Sequence, residues 1–537
     1  EEDGLSLKFF FSEWRAFGIY RGFFFSLFAH HQPLIPHIRA MKEYQDKNTH
    51  YNTSKMTFWQ QQLNQSINYW QCQPVNLLGS FQLLNNFPLY WIEVLLKDFG
   101  FKDLAKLVEF IREQESTYLM AFRLPPDFDD TFVNLALGSL LHQQKDEFPV
   151  AWSQWRSHNP NITSVFDALK KYAYRPFSSD PTLNSIDPRT YFHIRGFLDI
   201  AQVNGQDVAL VPTWIQNVDE ERKEFYLGVA MPFGINNIDV TVSANTVYSI
   251  TSGVLTGLLS PETLEDPVIE QIYHNTSMLI AYEIRNNFSG RPDLALTYYP
   301  SRMEFYWFFT RTVAVLETYR RNRTLPFEVM ETVYKMFRDV AETHMTKNIL
   351  DLAERDKAGR VYFDDFLGDG DVTFGGRPLN RAEDRIFTTS MAALALMSAW
   401  SYYDSFSRKS HWKQGTPRIV LETVAGCIKW LRQYSLSRDF KPWNAFFSGS
   451  TKSFETLPFW YPGNRLEYLN GTTISNWTDI PNSTFIYAVQ EKHFGYPTPT
   501  EFHGYNNNSE MFPMWSSVSY TYSTTLLAVS KFNETVL

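Results

Sequence analysis

Four stretches of this chain pass from a polar opening into a long run of Ala, Leu, Val, Ser and Thr, and this recurrence constrains the fold more than any other feature. They are "DDTFVNLALGSLL" (129–141), "IDVTVSANTVYSITSGVL" (238–255), "EDRIFTTSMAALALMSAW" (383–400) and "VSYTYSTTLLAVS" (518–530). Three carry Asp at the opening, where a carboxylate suits the positive end of a helix. Small side chains let helix backbones approach closely. Between these runs lie segments with apolar residues every three to four positions, such as "PFEVMETVYKMFRDVAETHMTKNILDLAERD" and "PRIVLETVAGCIKWLRQYS". The alternation predicts a mainly α fold, an α/α toroid of helical hairpins. Its inner helices would start at one common face, where their acidic N-termini converge.

The toroid is expected over residues 55–537, preceded by an aromatic-rich extension over 1–54. Within that extension "FFFSEWRAFGIYRGFFFSLF" (9–28) holds ten aromatics together with Glu13, Arg15 and Arg21. It is too polar to span a bilayer and reads as a packing surface, against its own domain or in self-association. "FPLYWIEVLLKDFG" and "FKDLAKLVEFIREQES" read as an antiparallel helix pair broken at Gly100. One insertion departs from the helical pattern: "DVALVPTWI" and "EFYLGVAMPFG", on either side of the charged "NVDEERK", predict a β-hairpin at about 207–234.

The most acidic helix opening is Asp127-Phe128-Asp129-Asp130-Thr131. One carboxylate, or two with the helix dipole, serves as a cap. A third in the same turn adds repulsion unless a proton or cation is shared. The motif resembles the Asp-x-Asp-Asp signature of class II terpenoid cyclases, themselves α/α toroids. The resemblance implies proton-initiated carbocation chemistry, with Asp129 protonating an alkene or epoxide and Asp127 and Asp130 keeping it acidic. Aromatic residues, 17% of the chain, would then line a cavity whose ring faces stabilise cations on an apolar ligand.

Two other chemistries have residues to offer. Helical toroids also house glycoside hydrolases, which act on a carbohydrate ligand with two carboxylates. Asp129, Asp130, Asp239, Glu383 and Asp384 would all lie at the convergent face. "ERDKAGRVYFDD" partly fits a calcium loop, with Glu354, Asp356 and Asp365 at ligand positions and Asp369 and Asp371 following; calcium is the one cofactor the sequence suggests. The twelve histidines show no zinc spacing, and no phosphate-cradling loop, dinucleotide fingerprint or nucleophile elbow occurs.

Eleven Asn-x-Ser/Thr sequons stand at Asn52, Asn64, Asn161, Asn275, Asn287, Asn322, Asn470, Asn476, Asn482, Asn507 and Asn533. Their excess points to N-linked glycans and to a secreted, lysosomal or cell-surface protein. The opening Glu1-Glu2-Asp3 reads as a processed mature form. A net charge of −9 without a basic cluster excludes nucleic acid as a partner, and no apolar run is long enough for a transmembrane span. Cys72 and Cys427 are expected as buried thiols, with a bridge between them as the alternative. Beside the cyclase-like reading stands one of a different class: a non-catalytic extracellular glycoprotein that binds a ligand or assembles through its aromatic surfaces.

Overall fold

The computed structural model describes residues 124–224, 229, 231, 234–369, 371, 377–404, 406–448 and 514–536, together with Lys97. The aromatic extension 1–54, the helix pair expected around Gly100, Cys72 and the sequons at Asn52, Asn64, Asn470, Asn476, Asn482 and Asn507 lie outside the described residues.

The principal helices are α1 (Phe128–Gln143), α2 (Pro149–His158), α3 (Ser164–Tyr172), α4 (Pro188–Val203), α5 (Val218–Glu224), α6 (Val240–Thr256), α7 (Pro267–Arg285), α8 (Arg302–Asn322), α9 (Glu328–Val340), α10 (Arg385–Trp400), α11 (Arg418–Tyr434) and α12 (Val518–Glu534). Two kinds of helix alternate. In α6 the run Val240–Val254 is buried without a break, and in α10 so is Ile386–Trp400. A helix with no charged face needs neighbours on every side. By contrast, α9 buries only a stripe, Val329, Met330, Val333, Tyr334, Phe337 and Val340, and turns its charges outward.

Helices α1, α6, α8, α10 and α12 pack side by side in that order, with α7, α9 and α11 covering their outer side. The inner helices run parallel. The Ser249 hydroxyl of α6 donates to the Phe132 carbonyl of α1 at 2.6 Å. Ser390 of α10 meets Thr524 of α12 at 3.1 Å, and eight residues on, Ser398 meets Lys531 at 3.0 Å. Close approach depends on small residues: a Cβ on Gly138 would sit 2.1 Å from the Trp155 ring, so this glycine lets α2 lie on α1.

The β-hairpin expected at about 207–234 is not formed by the described residues. Leu210 instead bridges to Tyr174, and Trp214 to Asp127. The charged run read as a turn is helix α5. Asn217 caps it by accepting from the amides of Asp219 (3.0 Å) and Glu220 (2.9 Å), and Asp219, Glu220 and Glu221 crowd its first turn. Acids after an Asn cap favour a helix start, which alternation alone does not reveal. The strands are short: β1 (Glu354–Arg355) pairs with β2 (Val361–Tyr362), and β3 (Ser401–Asp404) with β4 (Lys409–Trp412). β5 (Phe447–Ser448) pairs with β6 (Met514–Trp515), and β7 (Thr535–Val536) runs parallel to β4.

Candidate functional site

The parallel inner helices bring their N-terminal ends to one face, and a buried polar cluster collects there. Its members come from different helices. Asp127 is the cap of α1: its Oδ1 accepts from the Asp130 amide at 2.6 Å, and its carbonyl from the Thr131 hydroxyl at 2.6 Å. Asp130 is half-buried, whereas Asp129 points into the protein and is 4% exposed. Asp129 accepts from the Tyr299 hydroxyl on one oxygen and from Asn245 Nδ2 of α6 on the other, at 2.7 Å. The three carboxylates therefore divide their tasks: one caps, one lies nearer solvent, and one enters the core.

Asp239 caps α6, accepting from the amides of Thr241 at 2.7 Å and Val242 at 3.4 Å, and its second oxygen takes the Tyr298 amide at 2.7 Å. Glu304, in the first turn of α8, is fully buried; its Oε1 meets the Tyr520 hydroxyl of α12 at 3.4 Å, and its Oε2 has no partner. Asp384, at the start of α10, is fully buried, and neither of its oxygens has a partner. Among buried carboxyl groups that is exceptional.

One guanidinium reaches into this group. Arg311 of α8 is 4% exposed and donates from Nη2 to Asn245 Oδ1 at 2.6 Å. Its Cζ lies 4.3 Å from the Phe308 ring centre, 4.5 Å from Tyr248 and 5.6 Å from Trp307. Asn245 thus links Arg311 to Asp129. The neighbouring cations are already engaged: Arg302 holds Asp365 at 2.8 Å, and Arg385 holds Asp364 at 2.6 and 2.7 Å. Among the described residues one positive charge faces four buried carboxylates, which favours the protonated form of the surplus acids. Burial, with the Asp129 charge adding, pushes Asp239 up to about 7 against three amide donors. Burial, with Asp384 and Asp129 adding, raises Glu304 well above the ordinary carboxyl range. Asp384 is raised well above it by burial first, then by Asp365 and Asp364.

Of these residues the sequence reading named Asp129, Asp239 and Asp384 and missed Tyr299, Glu304, Asn245 and Arg311. A signal existed for Glu304. Ser301-Arg302-Met303-Glu304 has capping-box spacing, and Ser301 Oγ accepts from the Glu304 amide at 3.2 Å. The five carboxylates proposed for sugar cleavage do not form one set, because Glu383 lies apart in a bidentate pair with Arg377 at 2.5 and 3.0 Å.

The expected calcium loop closes as the turn between β1 and β2, with Gly359 at φ +74°. Asp356 is taken by Arg360 at 2.7 Å, Asp365 by Arg302, and Glu354 is exposed on β1. Asp371 is buried and Asp369 sits 3.7 Å from Arg381. Among the described residues no three acidic, His or Cys groups are placed to hold a metal ion. Asn161, Asn287, Asn322 and Asn533 are exposed, whereas Asn275 is half-buried with its amide oxygen accepting from the Ala209 amide at 3.0 Å. Cys427 is a free, buried thiol whose pKa burial pushes up. No helix among the described residues is long and apolar enough to cross a membrane.

Comparison with protein-family models, curated proteins and solved structures returns no match to this chain.

Proposed function

We propose that this protein is an acid catalyst on an apolar substrate, working by proton-initiated cyclisation or isomerisation at the N-terminal ends of its inner helices. The arc α1–α6–α8–α10–α12 would be part of a toroid of the kind found in the terpenoid cyclases that Asp127–Thr131 resembles. The observation that carries this reading is the surplus of buried carboxyls around one guanidinium. Glu304 and Asp384, fully buried with oxygens that lack partners, are raised well above the ordinary carboxyl range and Asp239 is pushed up to about 7, with Tyr520 against Glu304 and the Tyr299 and Phe308 rings together. A proton donor strong enough for an alkene or epoxide must be kept from water and given a site where its conjugate base is tolerated. Helix N-termini and Arg311 provide that tolerance. The four exposed sequons support a glycoprotein of the secretory route, the setting in which the catalyst would operate.

The test is incubation of the purified protein with isoprenoid alkenes and epoxides, with products followed by mass spectrometry. A proton enters and a proton leaves, so the expected product has the mass of its substrate but a different retention time. Its formation should decline as the pH is raised through neutrality and beyond, as the acids ionise. Absence of an isomer from every substrate in the panel would overturn the reading in favour of a non-catalytic glycoprotein.

A further inference from the structure

The sequence motif nominates Asp129 as the acid, but the geometry points to a different assignment: Glu304 and Asp384, on the third and fourth inner helices, carry the transferable proton, while Asp129 is the fixed negative charge that balances Arg311. The inference rests on the proton-initiated reading for what the proton does, and on the hydrogen-bond arrangement for where it resides.

Asp129 has both oxygens engaged by donors, the Tyr299 hydroxyl and Asn245 Nδ2, and Asn245 in turn accepts from Arg311. A carboxyl group that takes a donor at each oxygen behaves as an acceptor, and a guanidinium at one remove gives its charge a counter-ion. Glu304 and Asp384 stand in the opposite condition. Both are fully buried; Asp384 has no partner on either oxygen, and Glu304 has none on Oε2. An ionised carboxylate left so would forfeit the solvation of a full charge, whereas the un-ionised group forfeits far less. Among the described residues, the charged groups beside the pair are engaged with one another. Arg302 and Arg385 are bound to Asp365 and Asp364, Glu383 to Arg377, and Tyr520 approaches Glu304 with its hydroxyl. Asp129 and Arg311 act on Glu304 with opposite sign.

The chemistry follows with the atoms conserved. An O–H bond of the Glu304 or Asp384 carboxyl breaks and a new bond to hydrogen forms on the substrate alkene or epoxide. The carboxylate left behind lies at a helix N-terminus, and that of Glu304 also lies within the field of Arg311. Loss of a proton from the product cation restores the acid. Asp129 touches neither step; it is a positioning residue that holds Asn245 and Arg311 in place.

Infrared difference spectroscopy at neutral pH reads the proton directly, through the carbonyl stretch of un-ionised carboxyl groups. Glu304→Gln and Asp384→Asn should each remove part of that band, lower turnover about a hundredfold or more, and leave Tm unchanged or slightly raised, since each amide imitates a neutral acid. Asp129→Asn should keep the band and lower Tm, because Arg311 loses its counter-charge. The assignment is overturned if the band disappears with Asp129→Asn, or survives intact in both other variants. Should one of those two variants fail to fold, the other decides; failure of both to fold also overturns it. If the band behaves as expected but no substrate is converted, the proton assignment stands and the proposed activity falls.

Discussion

The two ends of the inner helices bury charge in opposite ways. At the C-terminal end of α8, Glu317 accepts from Arg321 at 2.8 Å and from the Tyr334 hydroxyl, with Lys413 Nζ 3.6 Å away. Lys413 also meets Glu342 at 2.9 Å, and Glu342 meets Arg338 at 3.0 Å. Burial opposes ionisation of Glu317, yet Lys413, Tyr334 and Arg321 together hold its pKa below the ordinary value. There each acid has its cations: two carboxylates, Glu317 and Glu342, share Arg321, Lys413 and Arg338. At the N-terminal end the acids outnumber the cation that reaches them, and two acids have oxygens without partners. Cations at C-termini and acids at N-termini both suit the helix dipole, so the dipole does not explain the difference. Matching makes the first end a clamp; mismatch makes the second a store of protons.

The strongest way to break this contrast is to damage the matched end. Glu317→Ala leaves Lys413 with Glu342 alone and takes from Arg321 and the Tyr334 hydroxyl their shared acceptor. Removing one partner of a buried network costs about 3–5 kcal/mol, to be read as a lower midpoint in chemical denaturation. The neutral substitutions at Glu304 and Asp384 should cost far less. Equal losses at both ends would show that the acid end is also a structural clamp.

Lys531 is the exception at the C-terminal end, and it offers the next largest effect. It is 5% exposed, donates to Ser398 at 3.0 Å, and burial lowers its pKa to about 7. The sign follows from the unfolded value of 10.5. Above that value the amine is neutral in both states and costs nothing. As the pH falls from there towards 7, the unfolded chain gains a proton that the folded protein resists, and stability is lost. Lys531→Met, allowing for the lost hydrogen bond, should stabilise the protein at pH 7 by about 3 kcal/mol. The gain should shrink steadily as the pH rises from 7 towards 10.5. No gain at pH 7 would mean that the ammonium is solvated after all.

How much of this was legible in the sequence depends on whether a residue acts locally or across helices. The inner helices α1, α6, α10 and α12 could be read because uninterrupted small and apolar residues permit little else, and three carry Asp at the start. Helix α8 was missed as their equal: its opening Ser301-Arg302-Met303-Glu304 looks like a surface capping box, and its aromatic core resembles any buried helix. The convergence of Asp129 with Asp239 and Asp384 followed from the shared starting face. Asn245, Tyr299 and Arg311 did not follow, because their roles arise from contacts between residues 66 to 170 positions apart, and no local pattern encodes those. The hairpin at 207–234 failed for the converse reason: a strong local signal, the Asn217 cap with three acids, was overlooked in favour of apolar runs on either side.

The smallest effect isolates one acid of the mismatched end. Asp239 has a folded pKa of about 7 against an ordinary value of 3.8. For a raised carboxyl the extra stability is fully present below the unfolded value and is lost as the pH rises through the folded one. Asp239→Asn is neutral at every pH, so the stability difference between the parent and this variant cancels the titration of all other groups. That difference should move against the parent by about 3 kcal/mol between pH 4 and pH 7, and stay level above pH 8. The absolute offset is a separate matter. The amide keeps the cap on Thr241 but turns a donor towards the Tyr298 amide, which costs the variant the same at every pH. A level difference across the whole range would mean that the three backbone amides keep Asp239 ionised. The proton store would then shrink to Glu304 and Asp384, the two acids whose partners are missing rather than opposed.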